Sequence, residues 1–438
     1  MKAKLVPLYF KEGRDEEFDI QLNALKRMLE DVAEFEQPIA VGEALPDVDA
    51  VIFPQLIGEA YKVINDIKKI DVPILAVTSE FGTVAMWDWE IVTYLKANGL
   101  DTYAPYNLEL TKKLCKTLAM KRSLKGAKFL VFQDDPGEGM QASIFKRFYW
   151  WEDECAKTML DKFGIAIVKK SFQALGEEAK KITDEEALAM LSKKTFETEG
   201  VCQKGLASAM KMYMVIKKEV ENDSSIIGAG INCLNESFYS DTTPCLAWNL
   251  LFEEKELMWA CEADTMSLLT KYIIYKSLGV PLMMTNLYPF LMGMAALKHE
   301  RIDKFPQVDN PENHVLVAHC GYFGLIPRCF SSKWVLKEKV LGIVDDNATA
   351  IDGRMAEGDV TLIQMHPTLE KMLVIEGELE GYQQYPNSDC LNGGIIRVDN
   401  GYVMMDKLYS HHAILAKGKL SKDVYYITKL LGIEMEEC

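Results

Sequence analysis

Apolar and polar positions in the first third of the chain follow two alternating rhythms. The stretches "KLVPLYF" (4–10), "VDAVIFPQL" (48–56) and "VPILAVTS" (72–79) are short, near-continuous apolar runs, the pattern of strands buried on both faces. Between them, residues 18–32, 60–70 and 85–99 place apolar side chains three and four apart, and the last of these stops at Gly99. Short apolar strands separated by amphipathic helices predict a parallel sheet with right-handed crossovers.

A break near "KRSLKG" (121–126) precedes a second alternating unit. It opens with a strand at 127–133, followed by one long helix over 143–164 that Gly164 caps. A strand at 165–172, helices at 184–194 and 202–223, a strand at 225–233, a helix at 245–255 and a strand at 257–261 come next. A helix then starts at Thr265, and "PLMMTNLY" (281–288) supplies one more strand. From about residue 314 the pattern changes. Short strands at 314–320, 360–366, 371–381 and 393–406 alternate with Gly, Pro and Asn turns, and "VDNG" signals a hairpin at Asn400–Gly401. This region predicts antiparallel β structure, a barrel or a small sandwich, closed by a helix at 421–432. The expected fold class is α/β, with two parallel-sheet domains at 1–125 and 126–300 and a β-rich domain at 301–438.

Composition narrows the function. Forty-nine basic residues against 65 acidic ones give a net charge of −16, which repels phosphate backbones and argues against nucleic acid as a partner. Ten scattered cysteines without a C-x-x-C pair are expected to be reduced thiols of a cytoplasmic protein. No apolar run reaches the ~18 residues of a membrane span, so no membrane partner is expected. No Gly-rich phosphate loop follows the first strand, so no nucleotide cofactor is expected.

Polar residues stand beside apolar runs in four places: Glu236 in "GINCLNES", Glu262 and Asp264 in "WACEAD", His319 in "VAHCG", and His411 and His412 in "YSHHAIL". Ligands of open α/β sheets bind outside the carboxyl ends of strands. Two carboxylates and an imidazole would make a site for Mn²⁺ or Mg²⁺, with the nitrogen favouring Mn²⁺. Each residue also has a structural alternative. Asp264 fits a helix N-cap, Glu236 a solvated loop, His319 a satisfied core histidine, and the His-His pair a position without function.

The stretches "INCLNESFYSDTTPCLAWNLLFEEKELMWACEADTMSLLTKYI", "HVLVAHCG", "EGDVTLIQM" and "SHHAILAKGKLSKDVYYITKLLGI" resemble, in order and spacing, the L-fucose isomerase and L-arabinose isomerase superfamily, in particular its shorter fucose isomerase-like members. The resemblance covers the last half of the chain, within 226–433. It implies two Rossmann-like domains and a β-rich third. It also implies a cytoplasmic, metal-dependent aldose–ketose isomerase that works on a monosaccharide or sugar derivative through an enediol. Carried onto this chain, the metal ligands are Glu236, Asp264 and His412, with Glu236 and Asp264 also moving the proton. In the arabinose isomerase branch the earlier acid of the second motif and a further histidine are ligands, which correspond to Glu262 and His319 here, and the two patterns stay open at this point. Trp248 and Trp259 are candidates for a stacking wall against the sugar, or two core residues. Family members form homo-oligomers, here a trimer or hexamer, with the active site near a subunit interface. The aromatic clusters "MWDWE" (86–90) and "FYWW" (148–151) have no place in the family pattern. A sugar-binding regulatory protein and a metal-dependent epimerase on the same scaffold are the competing expectations.

Overall fold

The computed structural model describes all residues except 11–12, 135–141, 234–238, 296–306, 320–325, 340–346 and 386–391. The chain divides into two compact units. Unit 1 takes Met1–Leu124, Lys276–Gly279 and Tyr425–Gly432, and unit 2 takes Lys125–Tyr275, Val280–Val424 and Ile433–Cys438. The second and third expected domains therefore lie together in one compact unit, which holds both a parallel sheet and a barrel.

In unit 1, β1 (Ala3–Tyr9), β2 (Ala33–Phe35), β3 (Ile39–Ala40), β4 (Ala50–Phe53), β5 (Ile74–Ala76) and β6 (Thr102–Tyr103) form a parallel sheet. Its order is β2-β1-β4-β5-β6, with β3 beside the end of β1. Consecutive strand residues point to opposite faces. Leu5, Ile52 and Leu75 enter one apolar cluster while Val6, Val51 and Ile74 enter the other. Burial on both faces is the reason these strands read as unbroken apolar runs.

Unit 2 begins with a four-stranded parallel sheet of β7 (Lys128–Phe132) and β8 (Ala166–Lys170), then β10 (Ile226–Ile231) and β11 (Met258–Cys261), in the order β11-β10-β7-β8. The short strand β9 (Thr198–Glu199) pairs instead with a later hairpin, β14 (Lys333–Glu338) and β15 (Thr349–Arg354). The expected long helix over 143–164 is two helices, Phe145–Phe148 and Asp153–Phe163, separated by a bend with Trp150 at φ 67°. A further helix, Phe172–Lys181, follows β8 and was not expected from the sequence.

A closed barrel of six antiparallel strands completes unit 2: β12 (Leu282–Pro289), β13 (His314–Ala318), β16 (Gly358–Met365), β17 (Lys371–Gln383), β18 (Gly393–Val398) and β19 (His412–Lys417). The pairing runs β16-β19-β12-β13-β18-β17 and returns through β17–β16, while β20 (Glu434–Glu437) lies parallel to the start of β17. The barrel thus begins at Leu282, ahead of the expected boundary at 300. β12 is buried along almost its whole length, so its sequence lacks the alternation that would mark an antiparallel strand. Every second strand residue, among them Val315 and Val317, Leu362, Leu373 and Ile375, Ala413 and Leu415, contributes to one shared core. The expected hairpin at Asn400–Gly401 is replaced by a helix, Gly401–Lys407, because the Asn400 side chain accepts from the Val403 amide and caps it.

Candidate metal centre

β11 ends at Cys261, and the helix Thr265–Leu278 starts four residues later. The chain makes this turn through Glu262 and Ala263, both left-handed at φ 56° and 55°. Left-handed backbone at a residue with a side chain costs roughly 1–3 kcal/mol and persists only where neighbours enforce it. Several contacts enforce it here. The Trp151 indole donates to the Ala263 carbonyl at 2.8 Å, and the Tyr149 hydroxyl donates to Glu262 Oε2 at 2.6 Å. Thr265 Oγ1 donates to the Tyr149 carbonyl at 2.9 Å. On the sheet side, a Cβ on Gly230 of β10 would stand 2.9 Å from the Ala263 Cα, so glycine is what lets the turn lie against the strand.

Asp264 closes the turn. Its Oδ1 accepts from the amides of Met266 at 2.9 Å and Ser267 at 3.0 Å, which makes it the cap of the helix. Its Oδ2 accepts from Ser267 Oγ at 2.7 Å and pairs with His412 Nδ1 at 2.9 Å. His412 opens β19. Alternation turns its side chain away from the face of Ala413 and Leu415, which pack in the barrel core. The segment before it is held by Gln364 of β16, whose amide donates to the carbonyls of Ser410 and His412 and whose oxygen accepts from the Tyr409 amide.

The other ring nitrogen of His412, Nε2, is buried without a hydrogen-bond partner and lies 3.6 Å from Glu262 Oε1. That separation is beyond hydrogen-bond length. The ring of His411 sits 4.1 Å from that of His412, and His319, also buried, stacks on His412 at 5.7 Å. Among the described residues, Glu262, His411 and His412 form a group whose donor atoms all lie within 4.8 Å of one another.

Glu262 and His412 are buried and His411 is exposed, and the buried charges act strongly on one another. Burial alone would depress the His412 pKa, but the Glu262 and Asp264 carboxylates outweigh it and hold the imidazole up at about 10. Burial would raise the Glu262 carboxyl, but His412, with His319 and the Tyr149 hydroxyl, brings it well below the carboxylate range. For His319, burial prevails over the attraction of Glu262 and lowers the imidazole to about 4, so it is neutral at physiological pH.

The residues are of a kind that could hold a metal ion. One carboxylate oxygen and two imidazoles converge, the buried Nε2 of His412 has no other partner, and a second carboxylate holds the opposite nitrogen of that ring. A carboxylate behind a metal-binding histidine, fixing its tautomer, is a recurrent arrangement in metal sites.

Of the residues singled out from sequence, Glu262, Asp264, His412 and His319 come together, and Glu236 lies outside the described residues. Asp264 was expected as a ligand and proton carrier. Its oxygens are instead spent on the helix start and on His412, so Glu262 faces the Nε2 side in its place. Trp248 and Trp259 form no sugar wall: both are fully buried, and Trp259 packs edge-on against Phe252 under the ammonium of Lys271. Tyr149, Trp151 and Gln364 were missed. The first two belong to the "FYWW" cluster, whose crowding of large aromatics beyond the needs of one helix face was the available signal. A cavity of unit 1, about 990 Å³, opens at the carboxyl ends of β1, β4 and β5, and its lining among the described residues includes no histidine or cysteine.

No family model matches the chain, and no curated protein matches it.

Proposed function

We propose that the centre built from Glu262, His411 and His412, with His319 beside it, binds a divalent cation and serves an aldose–ketose isomerase acting on an open-chain monosaccharide or sugar derivative. The observation that carries the reading is the relay from Asp264 Oδ2 through the His412 ring to Glu262 Oε1, with His411 alongside. The order of motifs along the chain supplies the reaction class. Tried against the site, the two ligand patterns are not equal: the geometry favours the one that uses Glu262 and His319 over the one that uses Asp264.

A bound cation of this kind polarises a carbonyl oxygen and stabilises charge developing on it, by several kcal/mol. The chain's own residues do the rest. Glu262, His411 and His412 would hold the cation. Asp264 keeps the proton on His412 Nδ1 and so leaves Nε2 as the presenting atom. His319, neutral, offers a further nitrogen or a hydrogen bond to a sugar hydroxyl. Asp264 is committed to four hydrogen bonds, so the carbon-bound proton is assigned to Glu236, the remaining acid of the motif, which would take it from one carbon and return it to the next.

The test is solvent-deuterium exchange into C1 and C2, followed by NMR over a panel of aldoses, ketoses and their acidic derivatives. Exchange with conversion should occur with Mn²⁺, stop with EDTA, and fall by several orders of magnitude in Glu236→Gln and Glu262→Gln. Sugar binding without exchange would assign a binding protein instead. Stereochemical inversion without carbonyl transfer would assign an epimerase.

A further inference from the structure

We infer that Tyr149 is a positioning residue of the centre, tying one Glu262 oxygen so that the carboxylate offers a cation the other alone. The inference rests on the cation-site reading above and adds to it a residue that neither the motifs nor the donor cluster includes.

The two oxygens of Glu262 have different neighbours. Oε2 accepts from the Tyr149 hydroxyl at 2.6 Å, while Oε1 faces His412 Nε2 at 3.6 Å. Rotation of the carboxylate to present both oxygens would break a short, buried, charge-assisted bond. The phenol is itself fixed from three directions. Its ring lies parallel to the His412 ring at 5.5 Å with 11° between the planes, and to the Phe145 ring at 5.0 Å with 7°. Its backbone carbonyl accepts from Thr265 Oγ1 at the head of the helix that Asp264 caps. Tyr149 thus touches both arms of the centre, Glu262 through its hydroxyl and His412 through its ring. Trp150, left-handed at φ 67°, breaks the helix between Phe148 and Asp153, and Tyr149 lies at that break.

The experiment is Mn²⁺ binding to the full chain, by calorimetry and by the paramagnetic resonance signal of the free ion, for wild type, Tyr149→Phe and Trp151→Phe. Tyr149→Phe deletes one oxygen and keeps the ring, the stacking and the backbone carbonyl. Thermal melting of the metal-free proteins registers the fold. Trp151→Phe removes the neighbouring bond to the Ala263 carbonyl and leaves both Glu262 oxygens as they were, so it reports what general loosening of the turn does. The expected result is a Kd raised about 10–100-fold in Tyr149→Phe, the usual effect of losing a partner behind a metal ligand, with a much smaller change in Trp151→Phe. Wild-type-like affinity in Tyr149→Phe, or equal losses in the two variants, would overturn the positioning role and leave the cation site standing. Failure of the wild type to take up Mn²⁺ at all would overturn both.

Discussion

Asp264 carries two jobs that the sequence presented as alternatives. It is a helix cap, and it is the carboxylate that orders His412. The cap follows from a local pattern, an acid one residue before an amphipathic run. The pairing with His412, 148 residues away, does not. Whether Glu262 or Asp264 faces the histidines was also illegible, because two successive left-handed residues redirect both side chains and no spacing rule anticipates that. The two jobs separate by substitution. Asn caps a helix about as well as Asp. Its amide N–H₂, however, would donate to His412 Nδ1 and shift the ring proton to Nε2, the atom facing Glu262. Asp264→Asn should therefore melt within a few degrees of wild type by circular dichroism yet bind Mn²⁺ at least ~10-fold more weakly in a calorimetric titration. Equal affinity would remove the tautomer argument.

Elements were legible where one physical demand shaped them and illegible where two competed. Amphipathic periodicity runs on both sides of Trp150, so one helix over 143–164 was the economical reading. The aromatic segment is bent instead to reach the turn after β11. "VDNG" carries a turn signal and a cap signal at the same asparagine, and the cap won. The turn after β11 depends as much on what is missing from β10 as on its own residues. Gly230→Ala would place a methyl 2.9 Å from the Ala263 Cα and 3.0 Å from the Ala260 carbonyl, both backbone atoms that cannot swing aside. An overpacked contact of this kind costs ~1–3 kcal/mol. The variant should show that loss in urea denaturation and should also lose Mn²⁺ affinity, since Glu262 rides on the displaced turn. A destabilised variant with unchanged affinity would show that the turn and the centre are independent.

For the molecule as a whole, the parallel sheets were readable because both faces of each strand are apolar, and the antiparallel region because its turns are dense in Gly, Pro and Asn. The barrel's first strand was misassigned because its heavy burial imitates a parallel strand. The buried histidines also contribute to how global stability depends on pH in the metal-free protein. The folded pKa of His412, about 10, lies above its ordinary 6.5, so its contribution is complete below 6.5 and is lost as pH rises through about 10. His319, lowered to about 4, acts in the opposite sense: its contribution is complete above 6.5 and declines as pH falls toward 4, where the lowered Glu262 adds to the loss. Lys271, buried and lowered to about 7, opposes His412 between about pH 7 and 10.5, so the His412 contribution is read as the difference between wild type and a variant in EDTA. With the urea midpoint followed from pH 5 to 10.5, the stability of wild type relative to His412→Gln should fall as pH rises from 6.5 to about 10. A difference that does not change with pH above 6.5 would mean that His412 is not held charged in the fold.

The course of the chain through unit 1 has a consequence for synthesis. Leu430 and Tyr426 complete the same cluster that Ala3 and Leu5 begin, and the Lys121 ammonium donates to the Leu430 carbonyl. On a ribosome, the residues up to Ala119 that build most of this cluster emerge about three hundred residues ahead of Leu430, the side chain that completes it. Until residues 426–430 are made, the patch they cover stays open to whatever shields nascent polypeptides.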